Sequence, residues 1–197
     1  MSAEEKNNGL SLLDSIDRVI VTEKTSEFPN SKYVVTTADG AVILYAKEDC
    51  GIVNRLLAGK TRSFEIDIFD TSHREVIKLR RPYSVGQDKM DVIVCGQPVA
   101  IVRKEVTFFK PVLTINDTSD KQVIRVKGPV STTSQCNFEL YSNEKQRIGA
   151  ICKRWDGLTR GNSERDNFVI HLPPVDVSYK AAILGTCFLI DFLYYEN

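Results

Sequence analysis

The chain has 197 residues, 42% hydrophobic and 26% charged, which is the composition of an ordinary globular domain and excludes a disordered chain. Its 26 basic and 26 acidic residues cancel, so there is no globally basic surface and nucleic acid is not expected as a partner. Cys50, Cys95, Cys136, Cys152 and Cys187 are odd in number and never form a CxxC pair; with His73 and His171 they make neither a zinc pattern nor a disulfide framework, and reduced thiols in the cytosol are expected.

The opening MSAEEKNNGL is polar and acidic and lacks a secretory signal pattern, so residues 1–11 are expected to be a short polar tail and 12–197 a single domain. Val19, Ile20 and Val21 read as a strand. The stretch KYVVTTADGAVILYA then places Ala38-Asp39-Gly40 between two β-branched runs, a hairpin signal. A helical turn is expected near Cys50 to Leu57. Two stretches are close copies: IFDTSHREVIKLRRP from Ile68 and INDTSDKQVIRVKGP from Ile115. In each, Asp-Thr-Ser favours a turn because short polar side chains bond their own backbone. Alternating residues on either side give the hairpin an inner and an outer face. Pro82 and Pro129 close the second strands, since proline cannot continue a ladder. A weaker copy, LYSNEKQRIGAICKRW, runs from Leu140 to Trp155. The spacing is uneven, which points to stacked hairpins and not a solenoid. The runs add up to about twelve strands.

The chain then ends in AAILGTCFLIDFLYYEN, nearly unbroken in apolar residues from Ala181 to Tyr195. A helix of about fifteen residues rises roughly 22 Å, short of a hydrocarbon layer about 30 Å thick. Asp191 lies inside it, where a carboxylate is costly in lipid. Apolar residues all round the helix call for burial on every side. A sheet of about twelve strands closed on itself is too wide for its own side chains to fill, and a threaded helix would fill it. The fold expected is therefore mainly β: a closed antiparallel barrel of about twelve strands around a buried hydrophobic C-terminal helix. Gly185, Cys187, Phe188, Asp191 and Phe192 mark that core helix or membrane segment, and burial is favoured over a span.

At these residues the chain resembles the phospholipid scramblases. KAAILGTCFLIDFLYYEN is similar to the family's ending, Gly-x-Cys-Phe-Leu-Ile-Asp-Phe. AKEDCGIVNRLL, RSFEIDIFDTSHREVIKLRRP, GAICKRWDGL and DNFVIHLP resemble further family segments in the same order, from roughly Leu12 onward. The resemblance implies a tubby-like barrel around one buried helix, although the family is often described as single-pass membrane proteins anchored by that segment. It implies ATP-independent, bidirectional movement of phospholipids between leaflets, stimulated by calcium, at the cytoplasmic face of the plasma membrane, with cytosolic or nuclear pools. The alternative is a peripheral lipid-binding adaptor with the same domain and no intrinsic scrambling. No covalent chemistry is implied, and no nucleophile, base and orienter stand out as a set.

Some family features are altered. Residues 1–11 hold no proline where the family carries a proline-rich N-terminal tail, and the family's palmitoylated cysteine run after the Arg-Pro strand is replaced by RRPYSVGQDKMDVIVCGQP, so no palmitoylation site is clear. The calcium ligands the resemblance implies are Glu164, Asp166 and Asn167, with Asp176 further on. Val169 and Val175 stand where a calcium loop needs its glycine and bidentate carboxylate, so binding is expected to be weak. Lys153-Arg154-Trp155, which resembles an importin-binding signal, is expected to be a strand end with both cations in water. Lys78, Arg80 and Arg81 could touch anionic lipid and are otherwise expected to be a solvated strand end.

Overall fold

Four turns of near-identical geometry set the architecture. In the computed structural model, which describes residues 9–23, 32–49, 61–86, 88–130, 135–154 and 167–195, Asp70 and Asp117 each open a turn. The amide of His73 donates to Asp70 O and that of Asp120 to Asp117 O, both at 3.0 Å. Each aspartate side chain accepts from two further amides, Ser72 and Arg74 or Ser119 and Lys121, at 2.9 and 3.0 Å. His73, Asp120 and Lys145 hold the left-handed position with φ of 60°, 63° and 62°, and Gly40 does so at 91°. This turn places one extra residue in the hairpin, and the strand pairing shifts beside each of the four. The three sequence copies are thus three copies of one bulged hairpin turn.

The strands are β1 (Arg18–Glu23), β2 (Tyr33–Thr36), β3 (Val42–Asp49), β4 (Phe64–Asp70), β5 (Glu75–Arg81) and β6 (Lys89–Val94). They continue as β7 (Gln97–Lys104), β8 (Val112–Asn116), β9 (Gln122–Lys127), β10 (Gln135–Tyr141), β11 (Arg147–Arg154) and β12 (Asn167–His171). Each pairs antiparallel with its neighbour in sequence, and β1 pairs with both β2 and β12, so the sheet closes into a barrel without an edge. Alternation sorts the side chains: in β4, Phe64, Ile66, Ile68 and Asp70 point inward and the residues between them outward.

The apolar C-terminal run forms a helix, Val177–Tyr194, that fills the barrel. A short helix α1 (Gly9–Ser15) precedes the barrel, so the long one is α2. By length and composition α2 could cross a membrane, yet 72% of it is buried inside the barrel. The closed barrel and its core helix agree with the sequence reading. The helical turn expected near Cys50 to Leu57 lies outside the described residues. Helix α1 was not expected, because seven residues are too few to show a period. It covers the end where α2 enters: Leu10 and Leu13 are buried, and Lys180 of α2 donates to the carbonyls of Leu13, Asp14 and Ile16 at 3.3, 2.5 and 2.9 Å.

Gly185 sits where α2 passes closest to the wall. A Cβ there would lie 2.9 Å from Leu79 Cδ2 and 3.1 Å from Met90 Cε. Gly185→Leu is expected to overpack the core and lower stability by about 1–3 kcal/mol in urea unfolding. An unchanged midpoint would place this face of α2 away from the barrel wall.

Candidate functional site

Because every strand reverses its neighbour, the connections alternate between the two barrel ends. Tight turns occupy the end where α2 enters, and longer loops the end where it leaves. At the latter, inward positions of several strands carry charge. Counting inward from Ile151 by twos reaches Lys153, and from Leu79 reaches Arg81; each is 1% exposed. Lys153 is therefore not in water as the sequence reading expected, and neither is Arg81. Only the outward neighbours Arg154 and Arg80 are exposed, Arg80 pairing with Glu65 at 2.9 Å.

These cations meet the last turns of α2. Asp191 accepts a 2.7 Å hydrogen bond from the Tyr33 hydroxyl and faces Lys153 Nζ at 3.5 Å. The Lys153 ammonium also stands over the Tyr195 and Phe168 rings, 3.8 and 5.1 Å from their centroids. The Arg62 and Arg81 guanidinium groups each lie 4.7 Å from the Phe192 ring centroid. Arg81 donates to Asp88 and to the Arg62 carbonyl. Glu48 closes the cluster, paired with Lys32 at 2.7 Å and Arg62 at 2.6 Å. Phe188 packs on Tyr33 with ring centroids 4.7 Å apart. The space beside this aromatic group is about 10 Å³, room for one water at most and far too small for a lipid.

The electrostatics fit a locked structure. Burial acts to raise the Glu48 pKa, but Lys32 and Arg62 overcome it and hold the carboxyl at about 2, below its ordinary 4.5. Its stabilisation is complete above the unfolded value and is lost as pH falls through the folded one. Glu48→Gln is therefore expected to flatten the stability–pH curve between about pH 4.5 and 2, read by urea midpoints across that window. Parallel curves for the two proteins would contradict the pairing. Burial first, then the Asp191 carboxylate, push the Cys187 thiol well above its ordinary value against the pull of Lys153, so it is an inert packing residue. Burial and Asp88 push Tyr194 up to about 12.

Two of the four candidate calcium ligands are described, and they stand apart. Glu164 and Asp166 lie outside the described residues. Asn167 begins β12, and Asp176 lies beyond the strand's other end, about 13 Å away along it. Ligands on one calcium ion stand about 2.3–2.6 Å from it, so these two cannot share an ion. Asp176 instead caps α2, accepting from the Ser178 amide at 2.8 Å, and hydrogen bonds from Ser178 hold its carboxyl below the usual range. Among the described residues no group of three or more His, Cys, Asp or Glu is placed to hold a metal.

A closed antiparallel barrel filled by its own C-terminal helix, with a buried ion network at the helix end, defines the class of protein. The comparisons with known proteins give the family: the Scramblase family model matches residues 2–197, and the chain belongs to that family. It is 32% identical to phospholipid scramblase 1 of Rattus norvegicus, over 96% of this chain and 63% of that protein. Phospholipid scramblase 2 of Bos taurus is 32% identical over 95% of this chain and 71% of its own length. The Homo sapiens protein named phospholipid scramblase family member 5 is 30% identical, over 96% and 78%. The chain thus spans less than two thirds of the rat relative. No solved structure gives a significant match.

Proposed function

We propose that this protein is a phospholipid scramblase, moving phospholipids between leaflets in both directions without ATP and without covalent chemistry. What carries the reading is the match to relatives of that name over 96% of the chain. The place of action would be the cytoplasmic face of the plasma membrane, with cytosolic or nuclear pools. Stimulation by calcium is the finer part of the reading; it would run through Glu164, Asp166 and Asn167, with Asp176 kept for the helix cap.

A second reading is favoured by the enclosed helix. With α2 occupying the barrel, the described residues leave headgroups no path through its interior, which suits a peripheral lipid-binding adaptor without intrinsic scrambling. Pure protein reconstituted in liposomes, with fluorescent lipid reduced from outside, separates the two. Loss of more than the outer-leaflet signal, faster with calcium and less so in Asp166→Ala, is the expected result. A signal that stops at the outer leaflet while the protein stays vesicle-bound would favour the adaptor.

A further inference from the structure

The large apolar side chains left exposed among the described residues are Tyr83, Val85, Val106, Phe108, Phe109 and Val130. Phe108 is 96% exposed and Phe109 85%. All six lie in the β5–β6, β7–β8 and β9–β10 loops, at the barrel end where α2 leaves. The turns at the opposite end, residues 37–41, 71–74, 95–96, 117–121 and 142–146, carry none. Scattered exposed apolar residues need no explanation, but six confined to one end of a barrel do.

The face is held in shape. The Glu105 amide donates to Val112 O at 2.9 Å, and the Thr107 hydroxyl donates to the Lys110 carbonyl, so the β7–β8 loop is closed at its base and within its tip. The Gly128 amide donates to Pro111 O at 2.7 Å, and a Cβ at Gly128 would collide with the Pro111 ring. That close approach joins the β7–β8 and β9–β10 loops. A groove of about 400 Å³ lined by Gly86, Lys104, Val106, Phe109 and Tyr194 brings the β5–β6 loop and the end of α2 to the same patch.

Charge favours one occupant. Glu105 is neutralised by Arg125 at 2.5 Å, and Asp88 by Arg81, with Lys104 at 3.7 Å. Lys110 follows Phe109, is exposed, and lines the groove together with Lys104. Exposed apolar side chains with ammonium groups beside them match the pairing of acyl chain and anionic headgroup at a bilayer surface. We propose that the protein docks end-on onto an anionic phospholipid bilayer, inserting these six exposed apolar side chains, with Phe108 and Phe109 as the principal anchors. The barrel axis then points at the membrane while α2 stays inside the barrel. This deepens the reading that the protein acts on phospholipids by naming the surface that meets them.

The test uses the full chain and vesicles of phosphatidylcholine with and without phosphatidylserine. Phe108→Ser/Phe109→Ser should keep its melting temperature and lose vesicle partitioning by about tenfold or more. Lys110→Glu should lose binding mainly on the phosphatidylserine vesicles and mainly at low salt. With the Trp155 background subtracted, Phe109→Trp should be quenched by brominated lipid, and Asn143→Trp at the opposite end should not. Unaltered binding by the double variant, or quenching of Asn143→Trp alone, would overturn the proposal. So would a lipid-free dimer that the double substitution dissociates, which would make the face a contact between copies. Scrambling without docking by this face would overturn the docking and spare the scramblase reading; docking without scrambling would do the reverse.

Discussion

Asp191→Leu is expected to destabilise the protein by about 3 kcal/mol, although it replaces a charge in an apolar helix by the residue such helices prefer. The physical reason is what faces the carboxylate. Tyr33 donates to it at 2.7 Å, and Lys153, 1% exposed, lies 3.5 Å away. Removing one member of a buried pair leaves the other's desolvation uncompensated, which costs more than the pair itself contributes. Lys153→Met should cost a similar amount. The double variant Asp191→Leu/Lys153→Met should cost clearly less than the sum, because both charges then leave together. A membrane span predicts the opposite sign, since a carboxylate at depth opposes insertion and leucine favours it. Urea unfolding of the four proteins decides it: additive losses would mean the two groups do not interact, and a gain in stability for Asp191→Leu would remove α2 from the core.

Phe188→Ala is expected to cost about 4 kcal/mol. The ring is 2% exposed and packs on Tyr33, whose hydroxyl in turn holds Asp191. Truncation opens a cavity between the helix and a closed wall that hydrogen bonds hold in register, so the site can collapse only a little. If the helix lay in lipid, acyl chains would refill the space and unfolding of the barrel in water would not change. A loss below about 1 kcal/mol would argue for that arrangement.

How much of the fold and site is legible in the sequence depends on which physical signal each residue gives. The Asp-Thr-Ser copies reveal the hairpins, because the turn chemistry of Asp70 and Asp117 is local and the structure repeats it bond for bond. The core helix is legible in its length, its all-round apolar character and the one charge, Asp191, within the apolar run from Ala181. Lys153 and Arg81 mislead because a cation near a strand end usually faces water; the period of two, counted from Ile151 and Leu79, points both inward. Their partners cannot be found that way. Glu48 of β3 meets Arg62, just before β4, across paired strands, and only the threading of α2 through the barrel brings Phe192 against Arg62. The exposed loop face escapes a sequence reading for a similar reason, since Tyr83, Phe108 and Val130 are far apart in the chain and share an end only through antiparallel pairing. Asp176 resembles a calcium candidate beside Asn167, but a whole strand separates them.

Amide hydrogen exchange of the detergent-free protein tests most directly whether α2 is the enclosed core of the barrel. Enclosure predicts that Ala181 to Phe192 exchange slowest of all segments, by global unfolding only, and that adding anionic vesicles leaves their rate unchanged while protecting the β7–β8 loop. Rapid exchange of that helix in water, with protection appearing only when vesicles are added, would contradict it and make the segment a membrane anchor.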